Sequence, residues 1–201
     1  MKKQIIVIGG GNTFDSYRQY ISFLKKIDLD FESMNKVGWK DHLEKDLGRG
    51  FEVIRPKMPN PSNAKYLEWK IWWEKIIPHL EKEVVLVGHS LGGIFLAKYL
   101  SENKFLKKTL AAFLIAAPYD DKGEEDSLGD FNLKKDLSRL QDQSEKLFIW
   151  QSADDKIVNF TDLGKYRKAL PRAICREFKN KGHFNQTHFP EIVREIKKIF
   201  G

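Results

Sequence analysis

The chain has 201 residues, which suits one domain able to bury a sizeable core without disulfide or metal staples. Its 41% apolar and 31% charged residues exclude a disordered or collagen-like chain, and no apolar run approaches the ~20 residues of a membrane-spanning helix. The formal charge of +7 does not point to nucleic acid: 27 of the 35 basic residues are Lys, scattered among acids, as in Lys98, Lys104, Lys107 and Lys108 around Glu102. A solubilising surface is therefore expected, with no nucleic-acid and no membrane partner and no assigned oligomeric state.

The chain opens on Met1-Lys2-Lys3 and the four-residue apolar run Ile5 to Ile8, too short for a secretory h-region. With Cys175 as the one cysteine, a reducing cytoplasm is the expected location. Gln4–Ile8 reads as the first strand, followed by Gly9-Gly10-Gly11-Asn12-Thr13 and a helical stripe of Phe14, Tyr17, Ile21 and Leu24. Phe51–Ile54 is the second strand, and Trp69, Trp72, Trp73 and Ile76 form a second stripe, expected as core. Val84–Val87 is the third strand, with a helix carrying Leu91, Ile94, Phe95 and Tyr99 behind it. Leu110–Ala116 is the fourth, followed by an acidic surface loop from Tyr119 to Gly129 and a short helical flap around Phe131, Leu133, Leu137 and Leu140. Lys146–Trp150 and Ala173–Phe178 complete six strands, and Ile192, Ile196 and Phe200 mark a closing helix. Strands alternating with helices predict one α/β domain over residues 1–201, a doubly wound parallel sheet of about six strands with ligands at the carboxyl strand ends.

The strongest chemical signal is Gly88-His89-Ser90-Leu91-Gly92, a G-x-S-x-G pattern between a β-branched strand and a helical stripe. A serine on so sharp a turn projects its hydroxyl from the sheet, and the glycines sit where side chains would collide. Serine needs a base, and the base an orienting acid, in the order Ser, Asp/Glu, His. Asp155 follows the fifth strand and His183 the sixth. Asp154 is a second candidate acid and His188 a second candidate base; His42 and His79 read as surface or packing residues, and His89 as pointing away from the site. The Leu91 and Gly11 amides are the expected oxyanion donors, with Asn12 and Tyr119 as substrate contacts. A dinucleotide loop fails on Phe14, where G-x-G-x-x-G needs glycine, and the G-K-[ST] of a P-loop is absent. No cofactor and no metal are expected, because no Cys/His cluster has ligand spacing.

Gly88–Gly92, Asp155-x-x-Val158 and Gly182-His183 together resemble the α/β-hydrolase superfamily over essentially the whole chain. The small size, the absence of a large cap and the tract Asn12-Thr13-Phe14-Asp15-Ser16-Tyr17 bring it closer to the small single-domain serine hydrolases, a group that includes the retinoblastoma-binding serine hydrolase. Where many members carry His-Gly at the oxyanion loop, this chain has Gly9-Gly10. The resemblance implies a triad of Ser90, Asp155 and His183 in a cofactor-free, carboxylesterase-like enzyme. Small carboxylic esters are the expected substrates. A thioesterase or amidase of the same mechanism, and a non-catalytic binding protein on the same fold, are the alternatives.

Overall fold

In the computed structural model, which describes residues 2–31, 35–122 and 127–201, all six expected strands form. They are β1 (Lys3–Ile8), β2 (Phe51–Ile54), β3 (Glu83–His89), β4 (Lys108–Ile115), β5 (Leu147–Ser152) and β6 (Ile174–Phe178). The sheet order is β2-β1-β3-β4-β5-β6, and every pairing is parallel. Strand β5 runs two residues beyond the expected Trp150, because buried Gln151 and Ser152 keep the ladder to Glu177 and Phe178.

The continuous apolar runs are explained by burial on both faces. Alternate residues of one strand serve different layers: Ile6 and Ile8 of β1 pack on one side of the sheet, Ile5 and Val7 on the other. The first layer is built from α3 (Tyr66–Ile76), α4 (Leu91–Glu102), α5 (Ser138–Asp142) and α6 (Asp162–Ala169). The second is built from α2 (Trp39–Leu47) and α7 (Pro190–Phe200).

Two expectations about helices change. Helix α1 (Tyr17–Lys26) forms, with Ser16 and Gln19 making a reciprocal capping box, but it buries no residue. Its Phe14–Tyr17–Ile21–Leu24 stripe does not dock; Phe14 instead gathers Tyr20 and Phe23, with ring centroids 5.4 and 5.2 Å away, while Tyr17 and Leu24 stay exposed. The expected flap is core instead: Phe131, Leu137 and Leu140 are fully buried against the α4 side of the sheet. Of the acidic loop, Glu124, Glu125 and Asp126 lie outside the described residues, whereas Asp120 pairs with Lys165 at 2.7 Å.

The Trp stripe is core at two of its three indoles. Trp69 and Trp73 are fully buried, while Trp72 sits on the rim of α3, about half exposed. The Trp69 ring meets Phe95 and Phe131 edge-on and its Nε1–H donates to the Pro59 carbonyl at 2.8 Å. Trp69→Ala is expected to cost about 3–5 kcal/mol, read as a shift of the urea unfolding midpoint.

Candidate active site

The strand order reverses between β1 and β3, so the loops leaving their carboxyl ends diverge and leave a crevice. A cavity of about 570 Å³ opens there. The β1 loop (Gly10 to Thr13), the β3 turn (His89 to Leu91), the β5 loop (Lys156 to Val158) and the β6 loop (His183 and Asn185) all contribute to its wall.

Ser90 stands at the turn from β3 into α4 with φ 57° and ψ −125°, a left-handed conformation that non-glycine residues rarely adopt. Its amide donates to Ile115 O at 2.9 Å, and its carbonyl accepts from Gly93 N at 2.8 Å, so backbone on both sides holds the strained residue. The flanking glycines are steric requirements. A Cβ on Gly92 would strike the Ile8 and Gly9 carbonyls, and one on Gly88 would lie 2.6 Å from Gly93 Cα. Gly10 faces Ser90 directly, since a Cβ there would lie 3.3 Å from Ser90 Oγ.

His183 is gripped at both ends of its loop. Gly182 and Phe184 on either side have positive φ, and Phe184 N closes the turn onto Lys181 O at 2.9 Å. Phe184 is buried against Phe178 and Phe189, and its carbonyl accepts from Trp39 Nε1 at 2.8 Å. The His183 Nδ1 atom lies 2.9 Å from Asp155 Oδ2. The Asp155 carboxylate is fully buried, and its Oδ1 accepts from the Ile157 and Val158 amides at 2.8 and 3.2 Å. With Nδ1–H donating to the carboxylate, a neutral imidazole leaves Nε2 free to accept a proton.

The competing residues are placed elsewhere. Asp154 accepts from Ser152 Oγ at 2.5 Å and from Gly182 N at 2.9 Å, so it ties down the histidine loop; the Ser152 hydroxyl contact in particular holds its pKa below the usual carboxylate range. His188 is exposed on Asp46 at 2.8 Å with its ring beside His42, and it does not line the cavity. Asn12 lines the cavity, anchored through its backbone to Pro61 O and Ala64 N at 2.8 Å each. Tyr119 does not line it: its ring packs edge-on against Tyr166 and its amide donates to Asp162, which turns it toward the core. Leu91 and Gly11 both line the cavity, and among the described residues neither amide donates to a protein acceptor.

His89 overturns an expectation. Its side chain does not point away but lines the cavity, with its ring centroid 4.9 Å from that of His183. Its Nε2 donates to the His183 carbonyl at 2.8 Å, which obliges Nδ1 to accept from Lys40 Nζ at 3.1 Å. Burial above all, then the positive Lys40, push the His89 pKa well below its ordinary value. The unfolded chain therefore takes up a proton below about pH 6.5 that the folded chain refuses, so stability falls as pH drops through that range. The slope attributable to His89 is at most about 1.4 kcal/mol per pH unit, and urea midpoints at pH 7.5 and 5.5 should converge in His89→Gln. Thr13, at the end of the glycine loop, also lines the cavity, and Lys40, Ser127 and Leu128 do so without any motif to announce them. Thr13 Oγ1 donates to Ser127 O and Ser127 Oγ to Asp15 at 2.5 Å, lacing the loop after β1 to the one after β4.

A doubly wound parallel sheet with a strained serine at the strand-to-helix turn defines the α/β-hydrolase fold. The ydeN gene product from B. subtilis superposes with a TM-score of 0.77 at 20% identity, covering 99% of each chain. Est1E from Butyrivibrio proteoclasticus superposes at 0.60 with 11% identity, over 99% of this chain and 88% of that one. The family model described as Serine hydrolase matches residues 31–194, and the chain belongs to that family. It is also similar to Serine hydrolase RBBP9 of Rattus norvegicus, 24% identical over 166 residues, or 81% of this chain and 86% of the relative.

Proposed function

We propose that this serine hydrolase cleaves small carboxylic esters through an acyl-enzyme, as a single domain acting in the cytoplasm. Ser90 Oγ attacks the ester carbonyl while His183 Nε2 takes its proton. Asp155 holds the imidazole in the Nδ1–H tautomer and stabilises the imidazolium. The Leu91 and Gly11 amides donate to the oxyanion, which is worth most in a partly dehydrated cavity. The tetrahedral intermediate collapses, His183 hands the proton to the departing alkoxide, and a water activated by the same imidazole releases the acid.

The observation that carries this reading is the left-handed Ser90 in one cavity wall with the Asp155-bound imidazole of His183 in another. Strain of about 1–3 kcal/mol on a non-glycine residue persists where a function needs the side chain aimed that way. The test is intact mass after exposure to a fluorophosphonate. One adduct on the wild type, mapped to Ser90 and absent from Ser90→Ala, is the expected result. An unlabelled, well-folded wild type would overturn the assignment in favour of a binding protein on the same fold.

A further inference from the structure

Among the described residues, the charged side chains lining the cavity are of one sign. Lys40 and Lys156 line it, and no carboxylate does. Lys40 is only partly exposed, with Nζ held 3.1 Å from His89 Nδ1 and 5.9 Å from the centroid of the Trp39 ring, neither of which carries a negative charge. The adjacent carboxylate is already engaged: Asp41 accepts from the Arg55 guanidinium through Oδ1 and from the Gly38 amide at 2.9 Å through Oδ2. Among the other partly buried lysines, Lys3, Lys65 and Lys107 donate to the backbone carbonyls of Phe200, Phe14 and Leu80, and Lys98 and Lys165 meet carboxylates. Lys165 lies 2.7 Å from both Asp120 and Asp162, and Lys98 lies 3.1 Å from Glu102. Among the described residues Lys40 and Lys156 form no ion pair.

An ammonium withdrawn from water without an ion-pair partner is disfavoured, and burial pulls the Lys40 pKa down against the opposing field of the neighbouring Asp41. A group kept this way in the wall of the cavity that Ser90 also lines is suited to receive a counter-ion from a ligand. Resting on the reading of this cavity as an ester-cleaving site, we propose that its substrates carry a carboxylate remote from the scissile carbonyl, and that Lys40 and Lys156 receive it. A cavity of about 570 Å³ has room for a half-ester of a short dicarboxylic acid or for an acylated hydroxy acid. The two lysines make charge, rather than chain length, the basis of selection.

The kinetic test compares mono-p-nitrophenyl glutarate with p-nitrophenyl valerate for an acyl-side carboxylate. It compares 4-acetoxybenzoate with 4-acetoxybenzamide for one on the leaving group. In one of these pairs the anionic member is expected to have a kcat/KM at least about tenfold higher, a preference that shrinks in high salt. Lys40→Met and Lys156→Met should each cut that ratio several-fold, while Lys40→Arg retains it and controls for folding. Calorimetry of glutarate against glutaramide on Ser90→Ala reads the same preference without turnover, and Lys40→Met should remove it there too. Equal handling of anionic and neutral members, or a preference untouched by both methionine substitutions, overturns the proposal. Fluorophosphonate labelling of Ser90 is independent of it, so loss of the substrate class and loss of the hydrolase assignment are distinguishable.

Discussion

Ser90→Ala is expected to lower kcat on a small ester by about 10⁴–10⁶-fold while leaving a folded protein. Alanine keeps the Cβ and so keeps the strained backbone at φ 57°, but it removes the hydroxyl oxygen proposed to form the acyl bond. What survives is the contribution of the oxyanion donors and of substrate binding, which is why the residual rate should stay above that of water. The strain supplies a companion result. Ser90→Gly relieves the left-handed penalty, so it should be as inactive as the alanine variant yet more stable by about 1 kcal/mol. Inactivation with stabilisation would separate the cost of aiming the hydroxyl from the chemistry it performs. Progress curves on p-nitrophenyl acetate and urea titrations of the three proteins read both quantities; an alanine variant within tenfold of wild type would mean that another nucleophile acts.

Asp155→Asn is the second large effect, with an expected loss of about 10⁴-fold in kcat. The hydrogen bonds around the carboxylate dictate why. Oδ1 accepts from the Ile157 and Val158 amides, so an asparagine must direct its carbonyl oxygen to them. Its NH2 then faces His183 Nδ1, which now has to accept, and the ring proton moves to Nε2. An imidazole in that tautomer cannot take the serine proton. The substitution is nearly isosteric and leaves the loop bonded, so the folded state should be preserved while fluorophosphonate labelling slows in parallel with kcat. Asp154→Asn offers the contrast. Its partners are Ser152 and Gly182, so it shifts the loop that carries His183 without touching the imidazole, and its effect should be far smaller.

Much of this architecture is legible in the residues because the signals are local. The continuous apolar runs of β1 and β3 can only be satisfied with both faces covered, which already implies a parallel sheet between helical layers. The elbow is equally local. Gly88 and Gly92 lie within a few residues of the atoms they would strike, and Gly92 meets the end of β1 because β1 and β3 are neighbours. The Serine hydrolase family model matches residues 31–194, a stretch that includes this elbow.

Properties set by distant parts of the chain are not legible in this way. The stripe on α1 has helical spacing, yet nothing in its sequence says that Phe14 will be covered by Tyr20 and Phe23 instead of the sheet. The segment around Phe131, Leu137 and Leu140 reads as a flap because its burial depends on α4, far from it in sequence. His89 is buried by Lys40 on one side and by the His183 carbonyl, 94 residues away, on the other. Its orientation is therefore a property of three elements meeting, not of the elbow. Lys40, one lysine among 27, acquires significance only when α2 delivers it to the cavity without a carboxylate partner among the described residues. Backbone geometry and binary patterning act over a few residues, so the sequence alone determines the strands, the elbow and the order of the reactive residues. Electrostatic environment and solvent exclusion are sums over everything within several ångströms. Only the tertiary structure therefore decides which histidine a buried carboxylate holds in the cavity wall and which charged side chains line that cavity.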